Sequence, residues 1–424
     1  MCLAAALSIA IAGCSPGVLR RGDEPSGPAG AGDALPLPGV EAGSTAELGL
    51  EPDGSAAPAA DSGALIPDGG VPVADSAPPE PDSAPPEPDS APPTGCSCPA
   101  LPQVPGPSTV VGDGTSASCT DGALKNAVSG GGTVSFDCGP ADVTIPINAK
   151  ITFTKPTLVD GGGKVTLDGQ DKTQIFVNQS TLTVKGLTFT RGWLAYKWSG
   201  APGGGGAISS TWSHELAVFD CTFTQNRVDL DGYGGAIFQA SNGKLTVVRS
   251  HFEANETGGG GAIYCLLAAM DVCDSTFKKN RGKNGWLGGG AIHTDGFSGG
   301  SGDGSSGGVG RICGSSFEDN EALATGGGVY FYAYPKDKVY VEKSTFLGNT
   351  VIANSGGVSM GGALRLGPSP ALITDSTFRK NAASMGGAIA TEGKQPATIQ
   401  GCTFGGNSSD IQGGNTTEVG NTYE

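Results

Sequence analysis

Apolar and polar residues alternate along this chain in short bursts, and between residues 205 and 407 the bursts recur. Phe-x-x-Asn occurs seven times: Phe223 with Asn226, Phe252 with Asn255, Phe277 with Asn280, Phe317 with Asn320, Phe346 with Asn349, Phe378 with Asn381 and Phe404 with Asn407. Each is preceded by a Gly-Gly pair and then Ala or Val with an apolar residue, as in Ala236-Ile237, Ala262-Ile263 and Val329-Tyr330. Five residues before the Phe stands Val or Ile, as at Val218, Val247 and Ile312. Two before it stands a small residue, as at Cys221, Ser250 and Ser275, and one before it Thr or Ser, with His251 the exception. Successive strand residues face opposite ways, so Phe and the small residue are expected to point inward together. The parity slips between the β-branched and the small position, which leaves room for a tight bend. Each repeat is therefore expected to supply three short strands: one at Gly-Gly-Ala-Ile, one at the β-branched position and one ending at Phe.

Repeats spaced 25 to 40 residues apart signal a solenoid or a propeller. A propeller needs four antiparallel strands per blade with hairpin turns, which these repeats lack, so the fold expected is an all-β parallel β-helix. Its coils stack like side chains about 4.8 Å apart, placing Phe on Phe and making a ladder of the Asn amides. Residues 96–204 read as cap and early coils of the same domain, with the repeats at 205–407. Asp121 is expected to cap a short helix, Ala123 to Val128, over the open apolar end. β-rich runs follow at 133–136, 151–153, 165–167, 175–177 and 182–184, and Leu187 to Gly192 reads as a first repeat with Gly in place of Asn.

Gly-Gly-Ala-Ile paired with Phe-x-x-Asn resembles the repeats of chlamydial polymorphic outer-membrane proteins. The wider stretch resembles the right-handed β-helix superfamily that includes pectate lyases, which implies a right-handed coil. Those membrane proteins carry a C-terminal secretion barrel, whereas this sequence ends at Glu424, so a different anchor is expected. The N-terminus supplies a candidate. Residues 1–14 hold an apolar stretch closing on Ile11-Ala12-Gly13-Cys14, which resembles the lipobox of bacterial lipoproteins. The resemblance implies that Cys14 becomes the lipid-modified first residue, giving a membrane partner and an envelope or cell-surface location.

Composition separates the next segment from the rest. Residues 15–95 hold 17 of the 29 prolines, no aromatic residue, and 14 acids against only Arg20 and Arg21. Such a stretch buries too little apolar surface to offset its chain entropy and is expected to remain a disordered linker, with a reach of roughly 250 Å at about 3.1 Å per residue. It accounts for −12 of the formal net charge of −16, leaving −4 for the β-helix domain, 96–424. No basic stripe appears among the repeats, which excludes a nucleic-acid partner.

Nine cysteines remain after Cys2 and Cys14, and export favours an oxidising compartment. Cys273 and Cys313 both sit four residues before the Phe in consecutive repeats, so they are expected to pair, as are Cys119 and Cys138 around the cap helix. Cys221 and Cys402 read as free core thiols. Cys96-x-Cys98 is too tight for a zinc site and has no His beside it, so no metal is assigned.

Candidate chemistry lies in the loops after successive Asn positions: Asp229, Asp231 and Tyr233, then Glu256, then Arg281, Lys283 and Trp286. In a stacked solenoid these lie side by side, and an aromatic platform beside carboxylates suits a sugar. The sequence favours a non-catalytic, surface-displayed protein for adhesion or for binding glycans and other envelope components. The alternative is a polysaccharide lyase acting on an acidic polymer, with calcium the one cofactor then implied. A hydrolase is disfavoured, since neither an Asp-Asp pair nor Gly-His-Gly occurs. His251 is expected to face solvent, and His293-Thr-Asp295 to open a Gly/Ser-rich insertion running through Gly310.

Overall fold

The computed structural model describes residues 96–197, 202–284, 287–298, 307–352 and 357–424. The expected lipidation segment 1–14, the linker 15–95, Trp198 and Trp286 lie outside them. The described residues form a right-handed parallel β-helix of three sheets, here A, B and C. One turn of the coil shows the plan. Ile237–Ala240 lies in sheet B, Lys244–Val248 and His251–Glu253 both lie in sheet A, Glu256–Thr257 lies in sheet C, and Ile263–Leu266 returns to sheet B. Two of the three expected strands are thus segments of one bent sheet, and the third face is a strand that the repeat pattern did not disclose. It spans only two residues after the Asn, too few to show alternation, and the first of them is charged.

The bends have a common backbone cause. The residue before the small position is left-handed in coil after coil: φ is 52° at Asp220, 46° at Arg249, 47° at Asp274 and 49° at Asp375. The residue before the Asn is too, with φ of 56° at Gln225 and 53° at Lys279. Asp and Asn tolerate this region better than most L-residues, and each such residue donates its N–H to a carbonyl of the next coil, as Asp220 does to Val248 O at 3.0 Å. The Gly-Gly pair solves two problems at once. Gly234 has φ of 57°, and a Cβ on Gly235 would meet the Gly261 carbonyl oxygen of the next coil at 2.2 Å.

Inside, the expected ladders are present. Rings from Phe189 through Phe404 stack in order, with centroids 4.7 Å apart at Phe223–Phe252 and 4.8 Å at Phe277–Phe317. Phe189 stacks on Phe223 at 4.8 Å, and Gly192 stands where later coils carry Asn, its N–H donating to Asn226 Oδ1 at 2.9 Å. From Asn226 to Asn407 each amide nitrogen donates to the next amide oxygen, as in Asn255 Nδ2 to Asn280 Oδ1 at 3.0 Å. The small position forms a second ladder: Ser250 N–H donates to Ser275 Oγ, and Ser275 N–H to Ser315 Oγ, both at 3.1 Å. Serine there is more than small; its oxygen accepts from the neighbouring coil, while its hydroxyl donates to its own chain, Ser250 Oγ to Val248 O at 2.9 Å.

Three expectations need correction. The cap helix, α1, runs Asp121–Val128, and its N-cap is Thr120, whose hydroxyl accepts from Ala123 N–H at 3.1 Å. Asp121 instead occupies the first turn and pairs with Lys125 at 2.8 Å. In the fifth repeat the register slips by one: Val329 pairs with Ile292 and with Leu364, so Gly328 takes the place of Ala and Tyr330 turns outward. The slip is confined to the glycine motif. Phe346 and Asn349 of the same repeat keep their expected places, Phe346 in register with Phe317 and Phe378. Asn349 is fully buried, its Oδ1 accepting from Asn320 Nδ2 at 2.9 Å and its Nδ2 donating to Asn381 Oδ1 at 3.0 Å.

The third correction concerns Cys273 and Cys313. They are register partners, as expected, with sulfurs 3.8 Å apart, but they do not bond to each other. Their side chains leave the outer face of sheet A in parallel, toward an incoming N-terminal strap. Cys313 bonds Cys96 and Cys273 bonds Cys98, with Cα separations of 5.5 and 5.4 Å. Cys119–Cys138 is formed, and Cys221, Cys265 and Cys402 are buried free thiols. Cys96, Cys98 and Leu101 of the strap cover an apolar stripe on sheet A that includes Phe219 and Val248. Beneath it Arg311, 7% exposed in its side chain, reaches Asp271 at 3.2 Å and Glu342 at 3.3 Å, and donates to the Ser97 carbonyl at 3.0 Å.

Candidate functional site

The loops after the Asn positions come together on and beside sheet C, where Arg227, Glu256, Arg281 and Glu321 follow one another in register. Opposite charges alternate, and they pair: Lys283 with Glu256 at 2.5 Å, Arg281 with Glu321 at 3.9 Å, Arg227 with Asp171 at 3.3 Å. Asp229 accepts from Trp193 Nε1 and from the Tyr196 backbone N–H, both at 3.2 Å, which ties the 193–196 segment to the next coil. Asp231 is exposed. These groups satisfy one another along the face. Tyr233 leaves it and joins a different surface.

That surface is the outer face of sheet B. The residue after the inward Ile or Val of each coil points outward, and in four consecutive coils it is aromatic: Phe238, Tyr264, His293 and Tyr330. Ring centroids are 6.1 Å apart for Phe238–Tyr264, 4.6 Å for Tyr264–His293 and 4.8 Å for His293–Tyr330. Tyr233 packs on Tyr264 at 4.6 Å from one side. On the other side, Asp295 pairs in register with Tyr332, and the Tyr334 hydroxyl donates to Asp295 Oδ1 at 3.3 Å. His293 and Asp295 thus belong to a strand, Ile292–Asp295, rather than to the insertion that follows. Phe238, Tyr264 and His293 are buried, whereas Tyr330, Tyr332 and Tyr334 are half-buried and form the accessible end.

Burial sets the protonation of this face. It pushes the His293 imidazole down to about 3, and Nδ1–H donates to the Gly288 carbonyl at 3.1 Å, so the ring is neutral. It pushes the Tyr233 phenol up to about 12 and those of Tyr264, Tyr330 and Tyr334 upward too, so these rings stay uncharged donors. Burial also raises the Asp295 carboxyl, against the opposing effect of the Tyr334 hydrogen bond.

Beyond Tyr330 the outward row continues through Arg365, Ala390 and Gln412. Here the sheet floors a cleft of about 330 Å³ walled by Met360, Met385, Glu392 and Lys394. Arg365 lies 3.4 Å from Glu392. The arrangement, a row of rings followed by a small cleft where methionines stand beside Arg365, Glu392 and Lys394, suits a ligand with an apolar face and polar edges.

The only His, Cys, Asp or Glu cluster spaced to hold a metal, among the described residues, is Cys98, Cys273 and Asp274. Its two sulfurs are bonded to each other, so it offers no thiolate. His251 is partly exposed, with Nε2 3.3 Å from Glu253.

The aromatic row did have a sequence signal, a ring after the apolar residue of the Gly-Gly-Ala-Ile motif in successive repeats. The extra glycine at Gly328 hid its fourth member by making Tyr330 look inward.

The fold and this face define the chain as a parallel β-helix of short, regular coils with one aromatic outer face. Residues 220–240 match the Chlamydia polymorphic membrane protein repeat, a segment that runs from the bend residue Asp220 through Phe223, Asn226 and the Gly234-Gly235 pair to sheet B. No curated protein matches the chain significantly. No solved structure does either.

Proposed function

We propose that this protein is displayed at the cell envelope and binds a glycan or another envelope component through the outer face of sheet B. The observation that carries the reading is the aromatic row from Phe238 to Tyr330, flanked by the half-buried Tyr332 and Tyr334 and followed in register by Arg365, which lines the cleft. The buried rings hold the accessible ones in fixed positions, so little side-chain entropy is lost when a ligand stacks on them. The repeat matched at 220–240 is described for a membrane protein, which supports an envelope location. In this reading Cys14 carries the lipid and residues 15–95 form the tether. Cys14→Ser is then expected to move the protein from the membrane to the soluble fraction; unchanged membrane association would remove the lipid from the account.

The binding reading is tested on a broad glycan array with the full chain and with Tyr330→Ala/Tyr332→Ala. Each ring is worth about 0.5–1.5 kcal/mol beyond its buried area, so the double variant should bind roughly tenfold or more weakly. An array on which the unaltered protein retains nothing would sink the proposal. The lyase alternative has a separate readout, the absorbance of an unsaturated uronate product in the presence of calcium.

A further inference from the structure

We propose that Tyr330, Tyr332, Tyr334 and Asp295 form a site for a quaternary ammonium group, the trimethylammonium of a choline-type ligand. The proposal rests on the reading of sheet B as a binding face and names the chemistry that this end of it selects. Tyr330 and Tyr332 meet at 69° with centroids 6.1 Å apart, and Tyr332 and Tyr334 at 79° and 5.8 Å. Rings set nearly at right angles present concave corners walled by π faces, whose negative quadrupole attracts a cation. Tyr332 stands directly across from Asp295 in register, and the Tyr334 hydroxyl is bonded to that carboxylate.

The charge balance points the same way. Among the described residues no Lys or Arg is ion-paired with Asp295, although burial disfavours its charge. Asp337, which also acts on Tyr334, spends its oxygens on the backbone N–H groups of Phe297, Tyr334 and Gly308. Arg365, the nearest cation to Tyr330, is matched by Glu392 at 3.4 Å. Asp295 thus stands among neutral rings, bonded to the Tyr334 hydroxyl, where a cation would offset the burial of its charge.

The chemistry of the walls selects which partner. A calcium ion takes six to eight oxygen ligands, and here one carboxylate faces ring carbons and protonated phenols. A primary ammonium needs three acceptors for its N–H groups. A quaternary ammonium has no donors and is weakly hydrated, so ring faces and one carboxylate satisfy it.

Calorimetric titration of the full chain with choline, and with its neutral carbon isostere dimethylbutanol, tests this. The expected result is saturable choline binding, with the isostere roughly tenfold weaker or worse. Asp295→Asn, which keeps the shape and an acceptor for Tyr334, should weaken choline about tenfold, as should Tyr330→Leu. Tyr330→Phe, which keeps the π face, should stay within about twofold, and unchanged thermal melts establish that the variants fold. Choline and isostere binding equally, no saturation by choline, or an indifferent Asp295→Asn would each overturn the proposal. Neutral glycans retained on the array without choline binding would leave the glycan reading standing and this one refuted. Two further arms separate sources: choline-competed flotation with phosphatidylcholine vesicles indicates a lipid headgroup, and choline-competed capture of a phosphocholine-substituted polysaccharide indicates a glycan.

Discussion

Asn280→Ala is expected to destabilise the solenoid by about 4 kcal/mol or more, and Asn407→Ala by about half as much. The Asn280 amide is fully buried and makes four hydrogen bonds at 2.9–3.0 Å. Its oxygen accepts from both the backbone and the amide of Asn255, and its nitrogen donates to the Phe252 carbonyl and to Asn320 Oδ1. Truncation therefore takes a partner from two donors and from the Phe252 carbonyl where water does not reach, at about 1–3 kcal/mol for each group left unsatisfied, less than additively. Asn320 Oδ1 keeps the Asn280 backbone N–H at 3.0 Å. Asn407 accepts the same pair of bonds from Asn381, but beyond it the ladder closes locally on Asp410, and the side chain is only half-buried. Solenoid stability is a sum over coils and the interfaces between them. A central Asn belongs to two interfaces and a terminal one to a single interface, hence the expected factor of about two. Denaturant midpoints of the two variants measure it. Equal losses, or a loss below about 1 kcal/mol at Asn280, would reduce the ladder to a packing coincidence.

The ladders were legible because each repeat is a separate sample of the same constraint. Only an amide of Asn length both donates and accepts along the axis, and a Phe above a Phe excludes most alternatives, so the pattern at Phe223 and Asn226 returns at Phe404 and Asn407. Features carried by one coil left no such trace. Thr120 rather than Asp121 caps α1 by a difference of one residue between two good capping types. The strap cysteines stand 175 and 217 residues from their partners, a separation over which periodicity says nothing. Sheet C was missed because its strands are two or three residues long, and charges on and beside it pair between successive coils. The aromatic row fell between these cases. It repeats, but one inserted glycine displaced Tyr330 and with it the contiguity of the face.

Replacing both strap cysteines, Cys96→Ser/Cys98→Ser, is expected to release residues 96–102 from sheet A and lower the melting temperature by roughly 5–10 °C. Two effects contribute, and they act on different states. In the folded protein the strap is held largely by its covalent links. Ordering seven residues costs about 1–2 kcal/mol each, while the non-covalent gains are chiefly Leu101 against the apolar stripe, about 1.5–3 kcal/mol, and the Arg311 bond to Ser97, about 1.5–3 kcal/mol. Those gains do not offset the ordering cost, so the freed strap should be cut by protease under native conditions while the coils resist. In the unfolded chain, closing a loop of 217 residues removes entropy worth roughly 5 kcal/mol. The second link adds less, because once the first has formed it closes a much shorter loop. Cys119–Cys138 remains intact in this variant, which confines the comparison to the strap. Non-reducing peptide mapping of the unaltered protein should recover Cys96 with Cys313 and Cys98 with Cys273. A peptide joining Cys273 to Cys313, or a double variant that melts within a degree of the parent, would show that the strap is not fastened to these rungs. With the links in place, tension applied at residue 96 enters the solenoid at adjacent rungs of sheet A, at Cys273 and Cys313, and bypasses the first strand, Ser108–Val111. The coils that carry Tyr330 and Asp295 begin within a turn of that junction.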